Sequence, residues 1–234
     1  MSRFAGWVLA LLLAAAFTVL GAWQHGRGVA KQGYLEAWEA ALKAPPKPLL
    51  PWTRGREIVA PEPVQGTLQA LPEGRWLLLD NARHQGRLGV RAHFIARLGP
   101  RLGLLVDAGW LPFDRARGLP PLPPMPAAVQ ARGLLLPWPG QGIALAETAW
   151  PDRGATALLV RLDREALEQD AGLTLIEGIL RLGPDADFGF ERQLEALPNT
   201  LPPEKHFGYA LQWWGLALAT LATALVLDRR SRKA

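Results

Sequence analysis

The chain has 234 residues, of which 49% are hydrophobic and 20% are charged, and its formal net charge at pH 7 is +5. This length favours one main domain with accessory segments over two full domains. The absence of cysteine excludes disulfides, CxxC redox chemistry and cysteine-ligated zinc, and the two methionines cannot form a thioether copper site.

The first predicted element is an apolar transmembrane helix over residues 6–23, GWVLALLLAAAFTVLGAW. Trp7 and Trp23 bracket it, as interfacial aromatic residues do in membrane spans. A cleaved secretory signal is the alternative, because the segment is N-terminal and follows Arg3. The run is longer than a usual signal core, however, and a tryptophan stands where a cleavage site needs small residues, so we favour the helix.

Apolar residues continue at helical spacing beyond Trp23, which predicts that the first helix extends over residues 24–43. Its polar residues place this extension in water. The segment APPKPLLP, residues 44–51, ends it, because proline lacks an amide donor and crowds the preceding turn.

Six short segments then have strand character, separated by glycine, proline and Asp-Asn turn signals. They predict a mostly antiparallel β-rich domain, a sandwich or a barrel, and the fold class is therefore a membrane α+β protein. The predicted strands are 75–80, 88–98, 102–107, 128–136, 155–163 and 173–182.

Three details of this domain follow from local pattern. The alternation in residues 88–98 places His93 on a solvated strand face. The polyproline-like segment 118–126 is interpreted as a stiff surface connector, with a groove ligand as the less favoured alternative. Residues 188–197 are predicted to form a short helix.

The second apolar run is YALQWWGLALATLATALVL, residues 209–227. As helices, both runs are about 26 to 29 Å long at ~1.5 Å per residue, close to the ~30 Å of a hydrocarbon core. The tail 228–234 holds three arginines and a lysine, which makes it cytoplasmic by the positive-inside rule. With two spans, residues 1–5 are then cytoplasmic and residues 24–208 lie outside.

The net charge does not indicate a nucleic-acid-binding protein. Of the 26 lysines and arginines, one precedes the first span and four follow the second, while every acidic residue except Asp228 lies between the spans. The outer domain is therefore near neutral, whereas a nucleic-acid platform clusters its cations.

Common catalytic signatures are missing from the sequence. Ser2 and Ser231 are the two serines, so the outer domain contains no serine nucleophile, and HExxH, GxxxxGK[ST] and GxGxxG do not occur. Asp185 and Asp187 allow a glycosidase dyad, but solvated loop carboxylates are the commoner explanation.

His206 stands three residues before the second apolar run. With Pro203 near the first helical position, His206 falls in the first turn. The positive end of the helix dipole disfavours an imidazolium there, which leaves a lone pair for a metal ion, and histidine is a standard haem iron ligand. From spacing alone, however, the favoured interpretation is that His206 anchors the helix at lipid headgroups or hydrogen-bonds to a loop. Aromatic residues share its face at helical spacing: Tyr209, Trp213 and Trp214.

Polar residues also leave the first span on the same side of the membrane. If the two spans pair as a hairpin, these groups converge on His206, and His25 becomes a less favoured second ligand. The residues concerned are Gln24, His25 and Arg27.

Three motifs follow one another along the chain: GAWQHGRGVAK, LLVDAGWLP and PPEKHFGYALQWWGLAL. Their order and the two-span frame resemble the SURF1 (Surfeit locus 1) family of cytochrome c oxidase assembly factors. The family pattern usually has an arginine where Ala108 stands and an asparagine pair where Glu204 and Lys205 stand. The family histidine corresponds to His206.

The resemblance implies a non-enzymatic protein of the bacterial inner membrane with a periplasmic domain. Such a protein binds haem a and helps deliver it to the catalytic subunit of cytochrome c oxidase, with haem a synthase as a further partner. His206 is then the expected haem iron ligand, and Gln24 and Arg27 donate to a propionate or a partner. Gly109 and Trp110 are expected to bind a partner.

The same resemblance implies that Tyr209, Trp213 and Trp214 shelter the macrocycle. Two other functions stay open. One is a scaffold that holds oxidase subunits through its β domain without touching a cofactor. The other is a membrane-anchored periplasmic enzyme with an unrecognised carboxylate site.

Overall fold

The computed structural model describes residues 3–49, 57–71, 74–114, 118–119, 121–139, 156–192, 196 and 201–232. These residues form two compact units, one of residues 1–36 with 197–234 and one of residues 37–196. The helices are α1 (Arg3–Lys43), α2 (Arg164–Ala171) and α3 (Pro203–Ser231). The strands are β1 (Lys47–Pro48), β2 (Glu62–Ala70), β3 (Leu77–His84), β4 (Arg87–Arg97), β5 (Leu102–Pro112), β6 (Ala128–Pro137), β7 (Ala157–Leu159) and β8 (Thr174–Leu182).

The first unit consists of α3 and most of α1, and both helices are long and apolar enough to cross a membrane. Their most hydrophobic 18-residue windows have mean hydropathies of 2.2 in α1 and 1.6 in α3. Only 17% and 11% of these windows are buried. Exposed leucine and valine side chains over most of their surface fit helices that face lipid.

The two helices pack as an antiparallel pair. Phe17 of α1 stacks on Trp213 near the middle of α3, whereas Gln24, two turns later in α1, contacts His206 near the start of α3. On each helix the facing positions recur every three or four residues, the spacing of helices that pack side by side at a shallow angle. These positions are Ala10, Ala14, Phe17, Gly21, Gln24 and Gly28 on α1 and His206, Ala210, Trp213 and Ala217 on α3.

The second unit is built on a closed five-stranded barrel with the strand order β2-β6-β8-β5-β4, closed by pairing between β4 and β2. An odd number of strands cannot close with strictly alternating directions, so one neighbouring pair must be parallel. That pair is β5–β8, while the other four pairs of the ring are antiparallel. The predicted β-rich region is confirmed, but the domain is not simply antiparallel, since β1–β2 and β3–β7 are parallel as well.

β2 belongs to the barrel and is not among the strands predicted from the sequence. Its buried side chains alternate, with Val64 and Leu68 fully buried, but two prolines in or beside the segment and Gly66 resemble loop punctuation. Gly66 faces the side chain of Leu49, whose nearest atom would lie 3.0 Å from an added Cβ. The glycine thus serves a close approach inside the sheet and does not mark a turn.

Of two predicted elements of this unit, one is shorter than predicted and the other is wrong in the described residues. The strand predicted over 155–163 is limited to β7, because Asp163 caps α2 by accepting a hydrogen bond from Ala166 N and Gly172 ends that helix in the left-handed conformation. The helix predicted over 188–197 is replaced in residues 188–192 by bends and a bridge to Trp110. Residues 155, 193–195 and 197 lie outside the described ranges.

His93 is buried, which corrects its predicted position on a solvated face. Residues of β4 alternate between the barrel core, which includes Phe94, and a second hydrophobic cluster, which includes Ile95. That cluster is formed with β7 and with Leu167 of α2, so both faces of the strand are covered. His93 is 1% exposed and donates from Nδ1 to the carbonyl of Arg91 at 3.1 Å.

A buried ion network surrounds His93. Asp107 Oδ2 accepts hydrogen bonds from Arg91 at 2.5 Å and from Arg181 at 3.0 Å. Burial alone would raise the pKa of Asp107, but the charge of Arg91 and its neighbours lowers it to about 2. Burial also lowers the pKa of His93 to about 4, so its ring is neutral at pH 7. The network links β4, β5 and β8. Removing one partner would be destabilising, because it would leave a buried charge unpaired.

Candidate functional site

His206 contacts Gln24 at one end of the helix pair. Pro203 is the first residue of α3, so His206 lies in the first turn, as predicted. Its Nδ1 lies 2.8 Å from Oε1 of Gln24, 182 positions away in the sequence. An amide oxygen only accepts hydrogen bonds, so Nδ1 carries the proton in this contact.

The other ring nitrogen of His206 has no hydrogen-bond partner among the described residues. Its Nε2 is buried, and the residue is 7% exposed. With the proton on Nδ1, Nε2 holds a lone pair, and a buried polar atom left unpaired costs about 1–3 kcal/mol. A histidine whose single ring N–H donates to an oxygen acceptor, and whose other nitrogen carries an unshared lone pair, has the arrangement of a metal ligand. Side chains that cover Nε2 would have to move to admit a ligand.

Beside this contact, two aromatic rings of α3 pack directly against two glycines of α1. An added Cβ at Gly21 would overlap the indole of Trp214, and at Gly28 it would lie 2.6 Å from the ring of Phe207. The two glycines are seven residues apart, and so are the two aromatic residues. Phe207 and the two glycines were not among the predicted site residues, although their matched spacing is present in the first and third motifs.

His25 packs beside the same two aromatic rings. Its ring centroid lies 5.5 Å from that of Phe207 and 5.9 Å from that of Trp214. Its ring is therefore engaged in aromatic packing and, unlike that of His206, donates no orienting hydrogen bond to Gln24 among the described residues. His25 stays the less favoured ligand.

The three predicted aromatic residues do not form one continuous wall. Trp213 lies half-buried between the helices, where it stacks on Phe17 with ring centroids 5.7 Å apart. Tyr209 and Trp214 are 41% and 37% exposed and present surface outside the helix contact. Because Tyr209 and Trp214 are five residues apart, they point about 140° apart around α3. A macrocycle beside α3 would thus meet one of them, and reach Trp213 only if the helix pair opened.

Two cations lie on the same face of α1 as Gln24, because they follow it at positions i+3 and i+7. Arg27 is exposed, and Lys31 donates from Nζ to the carbonyl of Leu201 at 2.5 Å. This end of the helix pair therefore combines an oriented histidine, exposed aromatic surface and positive charge.

The model of the SURF1 family matches residues 11–218, which is most of the chain. The chain belongs to the SURF1 family. The resemblance found in the sequence is thereby confirmed, and a search of curated proteins finds no significant match. SURF1 proteins are assembly factors, so membership gives the chain a role in cytochrome c oxidase assembly.

The first and third SURF1 motifs meet in the helix pair, whereas the middle motif lies in the barrel unit. Gly109 has φ +113°, and an added Cβ there would lie 2.8 Å from the carbonyl oxygen of Glu191. Trp110 has no exposed surface, and its Nε1 donates to the carbonyl of Ala82 at 3.0 Å. Neither residue can contact a partner unless this part of the barrel rearranges, and both instead hold the segment around Glu191.

A second histidine of this SURF1 chain also has an unpartnered buried nitrogen. His84 Nε2 lies 3.0 Å from Glu191 Oε1, and its Nδ1 has no hydrogen-bond partner among the described residues. Arg87 pairs with the other carboxylate oxygen of Glu191. Within the described residues, no group of three or more His, Cys, Asp or Glu side chains could hold a metal ion, so His84 has no neighbouring set of ligands.

Proposed function

We propose that this SURF1-family protein binds haem a through Nε2 of His206 and helps deliver it to the catalytic subunit of cytochrome c oxidase. The observation that carries the proposal is the hydrogen bond from His206 Nδ1 to Gln24, which leaves a buried lone pair on Nε2. Haem suits a single histidine, because the porphyrin itself supplies the equatorial nitrogen ligands.

The surroundings of His206 are compatible with the rest of a haem. Tyr209 or Trp214 offers exposed aromatic surface to an apolar macrocycle. Arg27 lies one turn from Gln24 on the same helix face, and a guanidinium can bind both oxygens of a propionate. In this proposal Gln24 serves the ring of His206, and Arg27 is the stronger candidate for the propionate.

The charge at the far end of α3 supports an orientation in the bacterial inner membrane. Arg229 and Arg230 lie in the last turn of the helix, and by the positive-inside rule this charge supports a cytoplasmic location for that end. The end that holds His206 then lies at the periplasmic interface, and the barrel unit is periplasmic. Haem would be received and passed on at that interface, with haem a synthase as the donor partner.

The haem proposal is tested by purifying the protein in detergent from cells that make haem a and recording its visible spectrum. We expect a Soret band that is lost in His206→Ala and retained in His25→Ala. His25 is the matched control, because it lies at the same end of the helix pair and packs against the same aromatic rings. A haem-free wild-type preparation, or an unchanged Soret band in His206→Ala, would overturn the proposal.

The scaffold alternative predicts a different pattern. A scaffold would co-purify with the oxidase whether or not it carried haem, and His206→Ala would leave oxidase assembly unchanged. Delivery instead predicts that His206→Ala lowers the haem a content of the assembled oxidase while the variant still co-purifies with it. Measuring haem a per catalytic subunit separates the two functions.

A further inference from the structure

We infer that Gln24 is a positioning residue that fixes the tautomer of His206, with the proton on Nδ1 and the lone pair on Nε2. The inference rests on the proposed function only for its consequence, which is tighter haem binding. The tautomer itself is a property of the protein without haem, so it can be measured whether or not the proposed function holds.

The geometry of the contact assigns the proton. Nδ1 of His206 and Oε1 of Gln24 are 2.8 Å apart, a normal hydrogen-bond distance. The amide oxygen has no proton to give, so the ring must donate from Nδ1. A neutral imidazole has one N–H, and Nε2 is therefore left unprotonated. Its lack of any other partner among the described residues agrees with that assignment.

The packing of the two helices fixes the register of this hydrogen bond. Gln24 lies between Gly21 and Gly28, which seat Trp214 and Phe207. Since α1 and α3 are antiparallel, these two contacts prevent either helix from sliding past the other without steric overlap. A slide of one helical turn, ~5.4 Å, would carry Gln24 out of reach of His206. The tautomer is thus coupled to the pairing of the two helices.

This role differs from that of a propionate donor. In a metal-ligating histidine, the N–H on the other ring nitrogen donates to a partner that orients the ring and raises its basicity. Losing such a partner typically weakens metal affinity about 10- to 100-fold. Gln24 acts on haem through His206, and its own side chain does not contact iron.

The test is nitrogen NMR on haem-free protein in detergent, with histidine labelled with ¹⁵N. The chain has four histidines, and the signals of His206 are assigned by their loss in His206→Ala. We expect a protonated Nδ1 and an unprotonated Nε2 in the wild type. In Gln24→Leu the acceptor is gone, and we expect the proton to redistribute toward Nε2. Leucine is preferred to methionine, because a thioether could itself bind iron.

Two further variants separate positioning from a general structural effect. Gln24→Glu keeps an oxygen acceptor and should retain the wild-type tautomer. Gln32→Leu makes the same substitution on an exposed face of α1, where Gln32 bonds Glu36, and should leave the signals of His206 unchanged. A wild-type His206 protonated on Nε2, or a Gln24→Leu spectrum identical to that of the wild type, would overturn the inference.

A haem titration of the same variants separates the two proposals. We expect Gln24→Leu to bind haem about 10- to 100-fold more weakly and Gln24→Glu to bind it as the wild type does. If the tautomer shifts as expected but the wild type binds no haem, the proposed function fails and the inference holds. If the wild type binds haem through His206 but its tautomer does not depend on Gln24, the inference fails alone.

Discussion

Replacing Gly28 by alanine should disturb the contact between Gln24 and His206 without touching either residue. The new Cβ would lie 2.6 Å from the ring of Phe207, whereas ordinary contact begins at 3.4 Å. We therefore expect the ring, and the start of α3 with it, to shift by about 0.8 Å to restore van der Waals separation. Added to the 2.8 Å hydrogen bond of the neighbouring His206, such a shift would exceed the 3.2 Å limit for N–H···O geometry.

The energetic cost can be isolated with a control on the same helix. Gly→Ala gains about 1 kcal/mol of helix propensity, while overpacking costs about 1–3 kcal/mol. Gly26 has nothing within 4 Å of an added Cβ, so Gly26→Ala takes the gain without the clash. We therefore expect Gly28→Ala to be about 1–3 kcal/mol less stable than Gly26→Ala.

The assay is a reversible SDS titration in detergent followed by tryptophan fluorescence, with the His206 tautomer read by NMR on the same samples. Gly28→Ala should unfold at lower SDS and lose the preference for a protonated Nδ1, whereas Gly26→Ala should keep both properties. Equal unfolding midpoints and equal tautomers in the two variants would refute the reasoning, because they would mean that Phe207 yields at no cost and that the helix register does not depend on the seat at Gly28.

Two predictions concern the barrel unit. Because burial holds the pKa of His93 near 4, below its usual 6.5, the unfolded chain takes up a proton first, and the free energy of unfolding should fall by up to about 3 kcal/mol between pH 6.5 and pH 4. Urea unfolding should show a weaker pH dependence in His93→Gln, and parallel pH profiles would contradict this. Gly109→Ala should lose about 1–3 kcal/mol, because its φ is +113° and its Cβ would meet the Glu191 carbonyl. Gly99→Ala, whose Cβ meets only Leu102 at 3.8 Å, should be near neutral, and equal unfolding midpoints for the two alanine variants would count against the steric argument.

The two long helices and the position of His206 could be predicted from the sequence, because the two apolar runs are long and helical spacing depends only on nearby residues. Placing His206 in the first turn of α3 required only Pro203 and a periodicity of 3.6 residues. The pairing of His206 with Gln24 could not be predicted, since the two residues are 182 positions apart and their contact depends on the register between two helices. The sequence predicts only that the two residues lie at the same end of a helical hairpin. The packing at Gly21 and Gly28 determines the register that brings them into contact.

The barrel was less predictable, because its closure by β2–β4 pairing and its covering by α2 and β7 depend on tertiary contacts. The alternation in β4 predicts one buried face, and nothing local shows that α2 and β7 cover the other. His93 was therefore predicted to be exposed to solvent. In the structure it is buried, and the neighbouring Arg91 pairs with Asp107 inside the protein. β2 was not predicted although its apolar residues alternate, because Gly66 and the prolines were interpreted as signs of a loop.

The separation of the motifs between two units changes how mutants of this protein must be interpreted. The middle motif has a structural role. Gly109 leaves room for the backbone of residue 191, and the side chain of Trp110 is fully buried. Loss of oxidase assembly after a Trp110 substitution would therefore not locate a partner surface, since a smaller amount of folded protein has the same consequence. Substitutions at Gln24 and His206 change one hydrogen bond between two packed helices and leave the barrel core intact. Haem content and tautomer measured per folded molecule thus report on the site, whereas assembly in cells combines the site with the stability of the barrel.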